Sequence, residues 1–184
     1  MNNSNNPNSL SYMVSSVDLK RKIKHKFKLI QYDQLYLIKS IFELLPRPNT
    51  LCIILLNVKQ NSGHWTLIFR TKTNLIIYID SYGKKPDGEL KYIQNKKFLH
   101  ENKPYLTFLL NKAHNQGYNL IYNRCTFQKY NNNINTCGKY IVYFSNGLFK
   151  GYSLPDLQNY LINLHKQYNE PYDLIINEIY NNQI

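Results

Sequence analysis

Long apolar runs are missing from this chain of 184 residues. The apolar run at residues 51–56 is far too short to cross a bilayer. The first seven residues are rich in Asn and Ser and lack the basic-then-apolar order of a secretory signal peptide. The sequence therefore predicts a protein that is neither secreted nor inserted in a membrane.

Cysteine is also scarce, with three residues that are widely spaced and form no Cys-x-x-Cys pair. This spacing argues against a disulfide framework and against a zinc site, and we predict no bound metal. Cys52 lies inside an apolar run, so we interpret it as a small buried hydrophobic residue. Cys125 lies in a strand-like segment and is predicted to be structural as well. Cys137 has a different sequence environment.

Acidic residues are outnumbered 11 to 23 by basic ones, which gives a formal net charge of +12. Such an excess attracts polyanions without specificity. The interpretation that we favour is a solubility charge spread over the surface, and the alternative is a partner such as DNA. A basic cluster that suits DNA consists of Lys20, Arg21, Lys22, Lys24, Lys26 and Lys28.

The composition is that of a globular protein, with 43% hydrophobic and 14% aromatic residues, including 17 Tyr. The length suits one domain with a proper core. Residues 1–16 are polar and turn-rich, and we expect a flexible N-terminal arm there. Residues 17–184 are predicted to form a single domain.

The order of the predicted elements is a helix, a run of strands, and then further helices. This order is typical of the α+β class. Apolar spacing, turn residues and helix caps predict the following elements: a helix at 32–45, strands at 51–58, 64–70 and 75–80, two helical stretches between 89 and 113, a strand at 118–128, and helices that begin at Cys137, after Ser153 and at Pro171.

Cys137 is the candidate nucleophile, because a thiol attacks a carbonyl efficiently only as the thiolate. It is predicted to begin a helix, whose free backbone N–H groups favour negative charge. Gly138 beside it leaves room for a substrate backbone. The polar loop at residues 130–135 should leave the sulfur accessible.

His64 is the candidate base, since it alone of the five histidines begins an apolar strand directly after a glycine turn. The other four lie in a charge run or in polar helical and loop contexts, where a surface role is favoured. Asp80 ends the next strand, and adjacent antiparallel strands would bring its carboxylate beside the His64 imidazole. That contact would fix the tautomer and stabilise the imidazolium.

An oxyanion hole needs donors aimed at the oxygen on which charge develops. The candidates are the side-chain amide of Gln128, which ends a predicted strand, and the backbone N–H of Cys137.

The ordered set Gly63-His64-Trp65, Asp80-Ser81-Tyr82-Gly83, Phe127-Gln128 and Thr136-Cys137-Gly138 resembles the adenain and SUMO-protease clan of cysteine peptidases. The motifs at residues 123–128 and 136–138, with the small size and the C-terminal helix, are most similar to the maturation proteases of virophages, Polinton-type elements and large DNA viruses. The resemblance covers residues 50–150. It implies a papain-like, adenain-like fold with a central mixed or antiparallel sheet flanked by helices.

The resemblance also implies the role of each site residue. Cys137 would be the nucleophile, His64 the general base, Asp80 its partner and Gln128 the oxyanion donor. Trp65 would wall a narrow substrate channel next to Gly138, so cleavage after small residues such as Gly is expected.

One feature departs from the family pattern. The step from Gln128 to Cys137 (137 − 128 = 9) is longer than the family usually shows. The insertion at residues 131–133, Asn-Asn-Asn, either bulges harmlessly or supplies an amide in place of Gln128.

The function implied is a monomeric endopeptidase that processes viral capsid precursors in the host cytoplasm or viral factory and in the virion. No cofactor is required for the chemistry, although adenain uses DNA and a peptide as activators. Three alternatives stay open. They are a peptidase that removes SUMO or another ubiquitin-like modifier, an acetyltransferase of the same clan, and a basic nucleic-acid-binding module without catalysis.

Overall fold

The computed structural model describes residues 6, 8–59, 62–93 and 103–182. The protein belongs to the α+β class, as predicted. Its helices are α1 (Ser16–Lys22), α2 (Tyr105–Asn115), α3 (Cys137–Phe149), α4 (Leu154–Tyr168) and α5 (Tyr172–Asn182), and its strands are β1 (Lys28–Gln31), β2 (Thr50–Lys59), β3 (Ser62–Arg70), β4 (Leu75–Asp80) and β5 (Asn119–Tyr122).

The chain divides into two compact units. Unit 1 contains residues 1–25 and 125–184, and unit 2 contains residues 26–124. The strands lie in unit 2, and all the α-helices except α2 lie in unit 1. The assignment of residues 17–184 to a single domain stays a prediction.

Unit 2 is built on a mixed five-stranded sheet with the strand order β1-β2-β3-β4-β5. The two outer pairs, β1 with β2 and β4 with β5, are parallel, whereas β2, β3 and β4 form an antiparallel meander. The three meander strands agree with the predicted strands to within two residues at each end. The mixed sheet itself is therefore confirmed.

Alternation along the strands places one set of side chains in the main core of unit 2. Cys52, Ile54 and Leu56 of β2 lie there with Ile68 of β3, packed with α2 and with short 3₁₀ helices. Cys52 is fully buried, which confirms its interpretation as a small hydrophobic residue. Burial also raises the pKa of the Cys52 thiol to about 12. This cysteine is therefore held as an unreactive thiol.

The predicted helix at residues 32–45 is wrong. Two short 3₁₀ helices, Tyr32–Leu37 and Ile41–Glu43, occupy that segment. The break has a local cause, because the Ser40 side chain caps the second 3₁₀ helix by accepting from the Phe42 N–H at 3.3 Å. The apolar spacing of this segment fits one long helix, but the cap at Ser40 starts a separate 3₁₀ helix instead.

The predicted strand at residues 118–128 is also largely wrong, since β5 ends at Tyr122. At Asn123 the side chain, rather than the backbone, continues the pairing with β4. In the region between residues 89 and 113 one of the two predicted helical stretches is α2, and a 3₁₀ helix spans Leu90–Tyr92. Residues 94–102 lie outside the described residues.

Unit 1 is helical, and α3 packs against α1, α4 and α5. Eleven of the thirteen α3 residues are buried, as expected of a helix that is apolar nearly all round. A Cβ atom at Gly147 would lie 2.4 Å from Leu157 Cδ2, so glycine is required where α3 meets α4. The helix predicted after Ser153 is confirmed with its cap, in which Ser153 Oγ accepts from the Asp156 N–H at 3.2 Å.

The described part of the predicted N-terminal arm has defined contacts within unit 1. The Val14 side chain is buried against Gly138, where a Cβ atom would lie 2.5 Å from Val14 Cβ. The backbone carbonyls of Asn8 and Leu10 accept hydrogen bonds at 2.9 and 2.8 Å from Asn177 and from residue 135. Residues 1–5 and 7 of the arm lie outside the described residues.

Candidate active site

His64 and Asp80 meet in unit 2 because of the register of its central hairpin. Thr66 of β3 pairs directly with Asp80 of β4, and His64 lies two residues before Thr66 on the same face of the sheet. His64 Nε2 lies 2.8 Å from Asp80 Oδ1. The structure therefore brings together the two residues that the sequence predicted as a pair.

Asp80 is held by contacts on three sides. Its Oδ1 accepts from the backbone N–H of Tyr82 at 2.8 Å, which closes an Asx turn directly after β4. The Asn123 side chain accepts from the Asp80 N–H at 2.9 Å and donates to the Asp80 carbonyl at 2.6 Å. Side chain and backbone of Asp80 are thus both fixed before any substrate binds.

The pair is shielded from solvent. Asp80 is fully buried and His64 is 5% exposed. The Tyr82 ring stacks on the imidazole, with 4.8 Å between centroids and 26° between planes. Asp80 Oδ2 is buried without a hydrogen-bond partner among the described residues. The contact between the imidazole and the carboxylate is therefore held away from bulk water.

Trp65 follows His64 on β3, so its side chain points to the opposite face of the sheet. It is 8% exposed and pairs in register with Leu55. Its role as the wall of a substrate channel stays a prediction.

Cys137 is the first residue of α3 in unit 1, as predicted. It is 8% exposed, and Thr136 precedes it as the N-cap residue. The first backbone N–H groups of a helix have no partner within the helix, so this position stabilises a negatively charged atom. Cys125 is partly buried and lies in an irregular segment rather than in the predicted strand.

Gln128 lies in a loop, not at a strand end, because β5 stops six residues earlier. Its side chain is 2% exposed, and Nε2 donates to the carbonyl of Ile134 at 3.2 Å. The amide therefore spans the loop that leads to Cys137. Residues 131–133, the alternative amides, are exposed. The oxyanion role stays a prediction for Gln128, as does the channel role for Gly138.

The histidines predicted to have surface roles include three in the described residues. The His25 ring stacks on Phe149 at 4.1 Å between centroids. His114 and His165 each bond a nearby backbone carbonyl with Nδ1, at 3.1 and 2.7 Å. His100 lies outside the described residues. Among the described residues, none of these three contacts joins a histidine to a buried carboxylate, unlike the contact of His64 with Asp80.

Lys139 is a buried charge for which the sequence analysis predicted no role. Its side chain is 0% exposed, and Nζ donates to the Ser9 carbonyl at 3.0 Å and to Asn177 Oδ1. Burial lowers the pKa of the Lys139 amine from its ordinary 10.5 to about 8. The described arm and α5 therefore meet at a lysine that titrates near neutral pH.

A pH dependence of stability follows from this lysine. Above a pH of about 8 the folded chain releases a proton that the unfolded chain keeps until its ordinary pKa of 10.5, so the free energy of unfolding rises with pH there. From pH 8 to 9 we expect the wild type to gain about 1 kcal/mol relative to Lys139→Met. Urea unfolding at several pH values measures this difference. For Lys166→Met, at an exposed lysine of α4, the free energy of unfolding should change with pH as it does for the wild type. The same pH dependence in Lys139→Met and the wild type would contradict the expectation.

The basic cluster is partly engaged within the chain. In unit 1, Arg21 pairs with Asp18 at 3.0 Å and Lys22 donates to the Tyr180 carbonyl at 3.0 Å. In unit 2, Lys28 donates to the carbonyl of Glu43 at 3.0 Å. The remaining three, Lys20, Lys24 and Lys26, are exposed. Half of the cluster therefore has structural contacts, and DNA binding stays a prediction.

Within the residues that the structure describes, no group of three or more His, Cys, Asp or Glu side chains is arranged to hold a metal ion. None of the described helices combines the length and the apolarity that crossing a membrane requires.

Three residues that contact the predicted site residues or their neighbours were missed: Tyr82 and Asn123 in unit 2, and Asp173 in unit 1. Tyr82 and Asn123 lie in motifs that the sequence analysis compared with the peptidase clan, but no role was predicted for either. Asp173 lies in the predicted C-terminal helix, again without a predicted role. The Asp-x-Tyr order after a strand is a weak signal for an Asx turn. For Asn123 and Asp173 the partners lie 37 to 44 residues away, beyond what local pattern can indicate.

The chain is similar to a protein of a virophage. The uncharacterized protein V9 of Sputnik virophage is 34% identical over 131 residues, which span 70% of this chain and 73% of V9. Among solved structures, the central domain of the uncharacterized Lpg1148 protein from Legionella pneumophila has a TM-score of 0.49 and 16% identity. That match covers 93% of this chain and 97% of the Legionella domain. No known family model matches the sequence.

Proposed function

The chain belongs to the same protein family as the virophage protein V9, and from this premise we propose that it is a viral cysteine endopeptidase of the adenain and SUMO-protease clan. The observation that carries the proposal is the buried contact between His64 Nε2 and Asp80 Oδ1 at 2.8 Å. A cysteine at the first position of a helix supports it, as does the order of the motifs along the chain. A papain-like fold is part of the same proposal.

The reaction proposed is hydrolysis of a peptide bond in two steps. Cys137 Sγ attacks the scissile carbonyl carbon, and its proton passes to Nδ1 of His64, since Nε2 bonds Asp80. The imidazolium then donates that proton to the leaving amine, which leaves a thioester on Cys137. A water molecule, deprotonated by His64, attacks the thioester and releases the carboxyl product with the free thiol. Asp80 orients the ring and stabilises its positive charge throughout.

The oxyanion of each tetrahedral intermediate needs two donors. The proposed donors are the backbone N–H of Cys137 and the side-chain amide of Gln128. The Gln128 amide also donates to the carbonyl of Ile134 at 3.2 Å, which ties this proposed donor to the loop that leads to Cys137.

The substrates proposed are capsid precursor proteins cut after small residues such as Gly, in the viral factory or in the virion. This part rests on the family resemblance and on the relation to a virophage protein. Removal of a ubiquitin-like modifier is the second peptidase candidate, and it needs a broad surface for the body of the modifier. An activating DNA is a further proposal, which the net charge of +12 supports.

Cleavage of a proteome-derived peptide library under reducing conditions tests the proposal. We expect cuts clustered after small residues with the wild type and none with Cys137→Ala. Cys125→Ala is the matched control, because it removes a partly buried cysteine of the same unit and should leave the cleavage pattern unchanged.

Two outcomes would contradict the peptidase proposal. One is an equal cleavage pattern for the wild type and Cys137→Ala, which would exclude Cys137 as nucleophile. The other is that the folded wild type cleaves no peptide of the library, either with or without added DNA. Cleavage of modifier fusions together with poor cleavage of short peptides would instead favour the deconjugating candidate.

A further inference from the structure

A single carboxylate of unit 1 holds both ends of the loop that leads to Cys137. Asp173 Oδ2 accepts from the backbone N–H of Lys129 at 2.9 Å. Its other oxygen, Oδ1, accepts from the Thr136 hydroxyl at 2.5 Å. The two residues that it binds are the first and the last of residues 129–136, the segment between Gln128 and Cys137.

Asp173 is built into the structure more firmly than a surface carboxylate. It is 3% exposed and lies in the first turn of α5, where a helix N-terminus favours negative charge. The Tyr140 hydroxyl of α3 also donates to Oδ1, at 3.4 Å. Burial raises the pKa of Asp173, while the hydrogen bonds from Thr136, Lys129 and Tyr140 oppose the rise. Burying a carboxyl is costly unless it is hydrogen-bonded, and the three donors that surround Asp173 supply those bonds.

The residues that flank the loop are the ones whose relative position matters in the proposed reaction. Gln128 carries the side-chain oxyanion donor, and Cys137 carries both the nucleophile and the backbone donor. A misplacement of about 1 Å in such groups costs about 100-fold in rate. The loop between them is exposed and rich in Asn at residues 131–133, so it has little packing of its own.

We propose that Asp173 is a positioning residue that fixes Gln128 and Cys137 relative to each other by clamping the two ends of residues 129–136. This role presupposes the proposed peptidase activity and adds a residue to it. Asp173 acts through its neighbours and does not touch the substrate.

Asp173→Asn tests this role, because it removes the negative charge and turns one of the two oxygens that accept from Lys129 and Thr136 into an NH₂ donor. We expect kcat on the best library peptide to fall about 10- to 100-fold, with KM within about twofold of the wild type. Hydrogen exchange of the backbone amides in residues 129–136 should become faster at the same time. Thr136→Val should reproduce part of the loss, and Thr136→Ser, which keeps the hydroxyl, should restore kcat.

The matched control is Asp156→Asn, the same substitution in the first turn of α4. Asp156 caps its helix through Ser153 and is exposed, so its variant should keep the wild-type kcat. Cys52, which is fully buried, reports folding, because it stays protected from alkylation in any folded variant.

Unchanged exchange in residues 129–136 of a folded Asp173→Asn protein would overturn the clamp. Faster exchange with a wild-type kcat would show that the loop is held without consequence for the reaction, and the positioning role would be wrong. If the wild type cleaves no peptide, the proposed function fails, and with it the catalytic consequence of the clamp. The exchange comparison still decides whether Asp173 orders the loop.

Discussion

Replacement of Asp80 by Asn is expected to lower kcat/KM on the best peptide by about 10²- to 10⁴-fold. The carboxylate accepts from His64 Nε2 at 2.8 Å, and an amide that presents its NH₂ group instead would force the proton onto Nδ1. A ring protonated on Nδ1 cannot take the proton of the thiol. Steady-state kinetics over a range of pH measure the loss.

Asp80→Asn is nearly isosteric, so the fold should persist, which urea unfolding can verify. Asp156→Asn, at an exposed helix cap, is the control and should keep kcat/KM within about twofold of the wild type. An Asp80→Asn protein with full activity would remove Asp80 from the proposed mechanism.

The largest effect on stability is expected from Asn123→Ala. The Asn123 amide pairs with both the N–H and the carbonyl of Asp80, at 2.9 and 2.6 Å, and it is fully buried. Its removal leaves two buried backbone groups without these partners. Each such group costs about 1–3 kcal/mol, so a loss of about 2–6 kcal/mol in the free energy of unfolding is expected.

Urea unfolding measures the free energy of unfolding of Asn123→Ala and of Asn119→Ala, and the two values are compared. Asn119 is an exposed residue at the start of β5, the strand that Asn123 directly follows, so its replacement should change the free energy of unfolding by less than about 0.5 kcal/mol. Equal values for the two variants would show that the pairing with Asp80 contributes nothing to stability.

The pair of His64 and Asp80 was predictable because it depends on local pairing. A short turn joins β3 to β4, so the alternation of two adjacent strands decides which side chains share a face. The start of α3 at Cys137 was predictable for a similar reason, since a polar loop gives way there to an apolar run. The capped helix after Ser153 followed from its cap residues.

The errors arose where a side chain replaced a backbone interaction. Apolar spacing favours a helix at residues 32–45, but the Ser40 cap divides it into two 3₁₀ helices. Apolar character favours a long strand before Gln128, but Asn123 ends the ladder by pairing its own amide with Asp80. The Asp173 contacts join residues 37 and 44 positions apart, and no periodicity encodes such contacts.

The most direct test of the central claim is the rate at which iodoacetamide modifies Cys137, measured site by site with mass spectrometry at about pH 6. An unactivated thiol is almost fully protonated there and reacts slowly. If His64 takes the proton of Cys137, the His64→Ala variant should react about tenfold or more slowly than the wild type. His114→Ala, which changes an exposed histidine, should match the wild type. Equal rates for all three proteins would contradict the pairing of Cys137 with His64, and with it the cysteine peptidase mechanism.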